Sequence, residues 1–199
     1  MRFDAVVIGG GRSGSAAALA LVEAGLRVCV VSEGLSLGVA GSAPASVATQ
    51  QNPPYARLAE LSAKGAMVLR GDSAVSGIWD GSVLKAVVTR NLSDMPLEAD
   101  FFVLATGKFF SRGLLSDMEK IWEPVFGADV YFTSGRETWS DADFFAPQPF
   151  MGFGVLTDAE GRILFGGNPA ENLYGTGGVL AAGSKALDID KLISRYAGK

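Results

Sequence analysis

The stretch Asp4-Ala5-Val6-Val7-Ile8-Gly9-Gly10-Gly11-Arg12-Ser13-Gly14 decides the fold of this 199-residue chain. Its β-branched run up to Ile8 predicts a buried parallel strand. The alanine-rich segment Ser13–Ala24 predicts a helix that ends at Gly25. A second buried strand is predicted over Arg27–Ser32, so strand, glycine-rich turn, helix and strand together form a βαβ unit.

The spacing of the glycines in that turn is the dinucleotide-binding fingerprint. Gly9 allows the tight turn, Gly11 lets the backbone approach a pyrophosphate, and Gly14 lets the helix pack on the strand. The helix N-terminus offers free N–H groups to the phosphates. Glu33 ends the second strand and can accept hydrogen bonds from a ribose diol, and an acid there argues against the 2′-phosphate of NADP. We therefore expect a Rossmann-type dinucleotide site, the alternative being a glycine-rich turn that binds nothing.

Arg12 and Ser13 lie inside the same turn and belong to the expected cofactor site. The Arg12 side chain either faces a phosphate or points into solvent, and the sequence favours neither arrangement.

A second motif is the apolar segment Phe101-Phe102-Val103-Leu104-Ala105-Thr106-Gly107. A buried strand that ends in Ala-Thr-Gly resembles the second signature of flavoprotein disulfide reductases and their relatives. That resemblance implies that Ala105, Thr106 and Gly107 pass near the cofactor, and that the backbone of Val75 lies beside the adenine. It shifts the expected ligand from NAD towards FAD.

A third motif is Asn172-Leu173-Tyr174-Gly175-Thr176-Gly177-Gly178-Val179. In such flavoproteins a late strand and turn of this kind brings a glycine-rich segment to the pyrophosphate and flavin. Gly177 and Gly178 are the candidates here, the alternative being an ordinary glycine-rich loop.

Composition excludes several function classes. The chain is 48% hydrophobic and 19% charged, which suits a folded domain. Its net charge is −4 and no two basic residues are adjacent, which argues against nucleic-acid binding. The absence of histidine removes His-based triads and His metal sites, so chemistry must come from a cofactor or from other side chains. A lone Cys29 excludes an internal disulfide and is expected to be a buried strand residue.

No signal peptide or transmembrane segment is expected, because the N-terminus leads straight into a strand and the apolar stretches are short or glycine-rich. We expect a cytoplasmic chain, with peripheral attachment to the inner membrane through a partner as the alternative.

The rest of the chain predicts an α/β fold with a Rossmann-like FAD/NAD(P)-binding domain. We expect a parallel sheet with helices on both faces and an antiparallel β insertion near residues 66–90. The further predicted elements are a loop or linker over 35–54, a helix over 55–64, a strand over 65–70, a hairpin turn at Asp80-Gly81, a strand over 100–105, a hairpin over 155–165 and a helix over 188–196.

The domain organisation is expected to be one flavin-binding domain over residues 1–199. Its nucleotide-binding core comprises residues 1–34, 57–107 and 160–199, and an aromatic-rich insertion spans about 108–159.

Several longer segments of the chain carry a family resemblance. The chain resembles the B-type subunit of anaerobic glycerol-3-phosphate dehydrogenase over residues 1–34 and about 66–180. Besides the glycine fingerprint, the residues that carry it are Val88-Thr89-Arg90-Asn91, Ala105-Thr106-Gly107-Lys108-Phe109-Phe110-Ser111-Arg112-Gly113-Leu114, Asp143-Phe144-Phe145-Ala146-Pro147-Gln148-Pro149-Phe150 and Glu171-Asn172-Leu173-Tyr174.

That resemblance implies a flavin, FAD or FMN, and oxidation of glycerol 3-phosphate to dihydroxyacetone phosphate with electrons passed towards quinone. It also implies a heteromeric complex at the membrane with sister dehydrogenase subunits. The family is longer where this chain has residues 35–56, so a substrate or cap domain is expected to be missing, and the C-terminal segment 184–199 is shortened.

Three functions remain open at this point. The first is a flavin-binding oxidoreductase subunit, with Lys108, Ser111 and Arg112 as candidate catalytic groups near the flavin ring or, alternatively, as a solvated loop. The second is a non-catalytic flavin-binding or partner-docking module, for which Phe144-Phe145-Ala146-Pro147 would suit an interface or the core equally. The third is a NAD-dependent enzyme.

Overall fold

The computed structural model describes residues 1–34, 54–117 and 119–197. The linker predicted over 35–54 lies outside these residues except for Pro54, which begins a helix. The strands are β1 Arg2–Ile8, β2 Val28–Ser32, β3 Met67–Arg70, β4 Ala74–Asp80, β5 Val83–Thr89, β6 Leu97–Leu104, β7 Leu115–Ser116, β8 Ile121–Trp122, β9 Val130–Tyr131, β10 Gly154–Val155, β11 Arg162–Phe165 and β12 Asn168–Gly175; the helices are α1 Arg12–Glu23, α2 Pro54–Ala63 and α3 Ile189–Tyr196.

Five parallel strands form the centre of the main sheet, in the order β12-β6-β1-β2-β3. The register pairs Ile8 with Leu104 on one side and with Val31 on the other, and Gly175 with Leu104. The carboxyl ends of β12, β6, β1 and β2 therefore lie at one edge of the sheet. This arrangement confirms the predicted Rossmann-like parallel sheet.

The predicted antiparallel insertion is the hairpin β4–β5, which turns at Asp80-Gly81 as expected. β5 pairs with the first residues of β6, at Leu97 and Glu98, whereas β12 pairs with the last residues of β6. Both β5 and β12 therefore use the same side of β6, and the ladder must pass from one to the other along its length.

The side chain of Asn172 fills the place where β5 and β12 separate. Its Oδ1 accepts the Leu84 N–H at 2.9 Å, and its Nδ2 donates to the Leu84 carbonyl at 2.9 Å and to the Asp100 carbonyl at 3.0 Å. These buried main-chain groups would otherwise lack ladder partners, which is costly. A side-chain amide, with one acceptor and two donors, satisfies all three.

Two apolar layers cover the sheet. On one face, Ala5, Val7 and Phe101 pack with residues of α1, α2 and α3, among them Leu21 and Leu61. Within the described ranges all three α-helices contribute to this layer. Helices were predicted on both faces, and the structure differs here.

The other face carries Val6, Ile8 and the predicted buried Cys29. It is covered by the β4–β5 hairpin and by the segment between β6 and β12, which contributes Phe153 and Val155. Short strands and 3₁₀ turns replace helices on this side because that segment is broken repeatedly by glycine and proline.

The hairpin predicted over 155–165 forms only in part. Thr157 bridges Ile163 and a tight turn closes at Asp158–Gly161, but β10 pairs with β9 and β11 pairs with β12. The local pattern was correct about the turn and wrong about the partner strands, because both strands find longer-range partners.

The turn after β8 is organised by a buried carboxylate. Glu123 is 1% exposed, and its oxygens accept the N–H groups of Val125, Phe126 and Gly127 at 2.9, 2.7 and 3.1 Å. Burial raises the pKa of the Glu123 carboxyl, while these donors oppose the rise. The side chain acts as the hydrogen-bonding partner that this irregular backbone lacks elsewhere.

No helix in the described parts of the chain combines the length and apolar character needed to cross a bilayer.

The role of Asn172 can be tested by substitution. We expect Asn172→Ala to lower the free energy of unfolding by about 2 to 3 kcal/mol, because it leaves buried main-chain groups of Leu84 and Asp100 without partners. Asn172→Asp should be no better, since it presents an oxygen to two carbonyls. Denaturant unfolding measures both. Asn168→Ala, at the exposed start of the same strand, is the matched control and should change stability by less than about 0.5 kcal/mol; equal losses at 168 and 172 would contradict this role.

Candidate functional site

The carboxyl ends of the central strands are tied together by main-chain hydrogen bonds. The N–H of Gly9 donates to the Val31 carbonyl at 2.8 Å, that of Ala105 to Ile8 at 2.8 Å, and that of Thr176 to Leu104 at 3.0 Å. From β1 the chain passes to β2 and β3 on one side, and β6 lies on the other. Ligands of open α/β sheets bind at such a switch in strand order.

The fingerprint turn is packed so closely that side chains are excluded. A Cβ on Gly9 would overlap the Ala105 carbonyl, 2.6 Å from its carbon atom, and Gly9 has φ +110°. A Cβ on Gly14 would overlap the Gly9 carbonyl. Gly10, to which the sequence assigned no role, packs against Ser32 at the end of β2, where a Cβ would lie 2.7 Å from the Ser32 Cβ. The turn therefore links β1, β2 and β6 into one unit.

Gly11 is different, because no described atom lies within 4 Å of the position that its Cβ would take. Its φ of −72° and ψ of −169° are open to any residue. It caps α1, whose first N–H groups face this open space. Arg12 has an exposed side chain, and its carbonyl accepts from Arg57 at 3.4 Å. The turn thus leaves space only where the fingerprint expects a phosphate.

The other two glycine-rich segments meet this turn. A Cβ on Gly177, which has φ +75°, would lie 2.5 Å from the Ser13 Cβ in the first turn of α1. A Cβ on Gly178 would lie 3.9 Å from the Gly107 Cα. The structure therefore brings together the three motifs that the sequence singled out separately.

The expected ribose ligand Glu33 follows β2 at the same edge and is partly exposed. A guanidinium nitrogen of Arg90 lies 3.3 Å from its Oε1. Val75, expected beside the adenine, lies in β4 where the register with β5 shifts between Ala74 and Ser76, so it has no paired residue in β5. Such an irregularity leaves backbone polar groups free for another partner.

The three candidate catalytic residues lie in one turn, in which the Ser111 hydroxyl donates to the Lys108 carbonyl at 3.3 Å, but their side chains have different surroundings. Nζ of Lys108 donates to the carbonyls of Phe153 and Leu180, the latter at 3.1 Å, and burial lowers the pKa of the Lys108 ammonium. This lysine is half-buried rather than a solvated loop residue, and two of its three ammonium N–H groups are directed to main-chain carbonyls. Ser111 and Arg112 are exposed, and Arg112 adopts a left-handed conformation with φ 59°.

Sequence reasoning did not identify Arg90 or Asp72 as candidates for the site. Asp72 is 2% exposed, and its Oδ1 accepts the N–H groups of Ser73 and Asn91 at 2.8 and 3.0 Å. The predicted hairpin could have indicated Arg90. Because β4 and β5 each have seven residues, the residue that follows β5 lies at the edge of the sheet where β4 begins.

The aromatic run Phe144-Phe145 is exposed rather than part of the core. The two side chains are 85% and 92% exposed, and their rings pack edge to face with centroids 5.6 Å apart. The loop that carries them is held by Asp143, whose Oδ1 accepts the Phe145 N–H, and by Gln148, whose Nε2 donates to the carbonyls of Asp143 and Ala146. An ordered loop with two solvent-facing phenylalanines is typical of an interface.

An open cavity of about 430 Å³ lies at the far end of the β4–β5 hairpin, away from the glycine turns. Its lining is largely apolar and aromatic, with Trp79, Phe126 and Phe165 in edge-to-face contact. None of its lining residues belongs to the three glycine-rich motifs.

Comparison with known families bears on the cofactor. Residues 42–188 match the family described as FAD binding domain. The chain belongs to this family. FAD, the expected cofactor, is thereby confirmed in preference to NAD, and the predicted fold class agrees with it.

Curated relatives bear the name expected from the resemblance. The chain is 43% identical over 121 residues to the B-type subunit of anaerobic glycerol-3-phosphate dehydrogenase from Vibrio vulnificus (strain YJ016). This alignment covers 59% of this chain and 28% of that protein. It is 44% identical over 116 residues to the corresponding protein of Pectobacterium carotovorum, covering 58% and 27%. The aligned part thus spans little more than a quarter of these relatives.

A more distant structural likeness is to a geranylgeranyl bacteriochlorophyll reductase-like protein of Thermoplasma acidophilum, with a TM-score of 0.44, 15% identity, and coverage of 53% of this chain and 39% of that one.

The residues present fit FAD on structural grounds as well. Gly11 leaves room for a phosphate, and the converging glycine turns exclude side chains from the same region. Among the described residues, the buried hydroxyls of Thr106 and Ser73 have no hydrogen-bond partner. Buried polar atoms without partners are rare and mark places where a ligand can bind. Thr106 follows β6 at the switch point, and Ser73 precedes β4 near Glu33.

The position of Lys108 leads to a prediction about stability. We expect Lys108→Met to lower the free energy of unfolding by about 1 to 3 kcal/mol, because the buried carbonyls of Phe153 and Leu180 lose their donor. Thermal or denaturant unfolding measures the change. Lys85→Met, which removes an exposed ion pair with Asp80, is the matched control and should cost less than about 1 kcal/mol. If Lys108→Met unfolds like the wild type, its ammonium is not a structural donor.

Proposed function

We propose that this chain is a flavin-binding oxidoreductase subunit of the anaerobic glycerol-3-phosphate dehydrogenase type. In this proposal FAD is bound at the switch point, glycerol 3-phosphate is oxidised to dihydroxyacetone phosphate, and electrons pass towards quinone. The observation that carries the proposal is the meeting of the fingerprint turn with Gly107, Gly177 and Gly178, in a chain whose curated relatives bear that enzyme name.

The chain's own residues have distinct parts in this proposal. Gly11 and the first N–H groups of α1 bind the pyrophosphate, Glu33 and Val75 the adenosine, and the Ala105-Thr106-Gly107 turn with Gly177 and Gly178 the flavin end. The bound flavin supplies hydride acceptance. Lys108 maintains the architecture of that end through Phe153 and Leu180, so we assign it no catalytic role.

The domain division stays part of the proposal. We assign the nucleotide-binding core to residues 1–34, 57–107 and 160–199, and the cover of the second face to residues of about 108–159. The large contribution of Phe153 and Val155 to the core under that face supports treating both parts as one domain.

The proposal is tested by the absorbance spectrum of the purified protein. We expect flavin bands, release of FAD on denaturation as identified by chromatography, and bleaching when glycerol 3-phosphate is added without oxygen. Gly11→Ala is the matched variant: its Cβ meets no described atom, so the free energy of unfolding should fall by no more than about 1 kcal/mol, the cost of alanine at the helix N-cap, while FAD binding weakens by about tenfold or more, or at least about 1.4 kcal/mol, because the methyl group takes phosphate space.

The outcomes separate the alternatives. A protein that remains colourless after incubation with FAD contradicts the flavin site itself. A protein that binds FAD but is not bleached contradicts the substrate and supports the second candidate function, a partner-docking module that carries flavin without oxidising glycerol 3-phosphate.

The exposed pair Phe144 and Phe145 favours the partner-docking function, or a contact with a sister subunit if the chain is an oxidoreductase subunit. We expect the double substitution Phe144→Ser with Phe145→Ser to leave the unfolding midpoint and FAD binding unchanged, because neither ring lies in the core, and to abolish co-purification with the other co-expressed dehydrogenase subunits. Met95→Ser, at another exposed apolar side chain, is the control. Co-purification that survives the double substitution would exclude the pair from the contact. A peripheral position at the inner membrane would follow from such a contact.

A further inference from the structure

The ion pair between Arg90 and Glu33 lies where the adenosine end of the ligand is expected. The guanidinium nitrogen and Oε1 are 3.3 Å apart, and the two side chains are 60% and 43% exposed. On exposure alone, such a pair contributes little to stability. Both residues, however, are held in place by a frame of hydrogen bonds around residues 71–73.

Main-chain hydrogen bonds link the segments that carry the two side chains. The N–H groups of Gly71 and Asp72 donate to the Ser32 carbonyl, at 2.8 and 3.3 Å, directly before Glu33. The N–H of Arg90 donates to the Ser73 carbonyl at 2.9 Å. The ends of β2, β3 and β5 are thereby connected through one short segment, residues 71–73.

The buried carboxylate of Asp72 fixes the far side of this frame. It accepts the N–H of Asn91 as well as that of Ser73, and Nδ2 of Asn91 donates to the Gly71 carbonyl at 3.2 Å. The main chain at Arg90 is therefore fixed on both sides, by its own N–H group and by the N–H group of Asn91. The Arg90 side chain reaches Glu33 because the backbone places it there.

We propose that Arg90 is a positioning residue that holds the Glu33 carboxylate for the ribose diol of the bound dinucleotide. The inference rests on the proposed FAD site. Arg90 contacts Oε1, and within the described residues Oε2 is left to accept from hydroxyl groups. Its positive charge also offsets the repulsion between the Glu33 carboxylate and the phosphates of the ligand. Arg90 thereby makes an acidic residue compatible with a polyanionic cofactor.

The test compares FAD with FMN, because FMN lacks the adenosine ribose. We expect Arg90→Met to weaken FAD binding by about threefold to fivefold, the range of an exposed charge pair, and to leave FMN binding within about twofold. Arg90→Lys, which keeps the charge, should recover FAD affinity to within about twofold of the wild type. The difference between wild type and Arg90→Met should shrink in high salt, because exposed charges are screened. Titration calorimetry on the full chain measures these affinities.

A double substitution separates positioning from a general structural effect. With Glu33→Gln already present, Arg90→Met should have no further effect on FAD binding, since its partner charge is gone. Arg2→Met, which breaks a similarly exposed pair with Asp100 at the amino end of the strands, is the control and should bind FAD like the wild type.

Three results would overturn the inference while leaving the FAD site intact: unchanged FAD affinity in Arg90→Met, an equal loss for FMN, or an equal loss in the Glu33→Gln background. A wild-type chain that binds no FAD would overturn the proposed function and this inference together.

Discussion

The contact between the backbone of Gly9 and the carbonyl of Ala105 is the constraint on which the rest of the site depends. It brings the turn after β1 onto the end of β6 with no room for a side chain, and the Gly14 contact on Gly9 sets α1 against the same turn. Since α1 begins there, its free N–H groups are aimed into the space beside Gly11. A residue with a Cβ at position 9 or 14 would displace the helix and thereby the proposed phosphate site.

The two ends of the site are built on different physical principles. The proposed pyrophosphate end is made of backbone, because Gly9, Gly14 and Gly177 allow chain segments to approach closely. The proposed adenosine end is made of side chains on strand ends, with Glu33 and Arg90 held by main-chain hydrogen bonds of residues 71–73. Substitutions at Gly9, Gly14 or Gly177 are therefore expected to affect folding and binding together, whereas those at Glu33 and Arg90 are expected to affect affinity and ligand preference with little effect on the fold.

Local sequence patterns predicted the elements whose causes are local. The glycine fingerprint, the buried strand before Glu33, the Asp80-Gly81 turn and the C-terminal amphipathic helix depend on neighbouring residues, and the structure contains all of them. The cover of the second face and the pairing of β10 with β9 depend on contacts far along the chain, and no periodicity encodes them. Arg90 was not predicted as a site residue for the same reason. Its partner Glu33 is distant in sequence, and the two become neighbours only in the folded hairpin.

Buried and half-buried polar side chains explain how an irregular segment can cover the second face of a regular sheet. Asn172 supplies ladder partners where β5 and β12 separate, Glu123 binds three N–H groups of a turn, and Lys108 binds carbonyls on two different segments. Each replaces backbone pairing that the broken chain cannot make for itself. Aromatic edge-to-face contacts such as Trp139 with Phe153 fill the space between them. Since this set of contacts is complete without Phe144 and Phe145, the two exposed rings are not needed by the fold and are available to a partner.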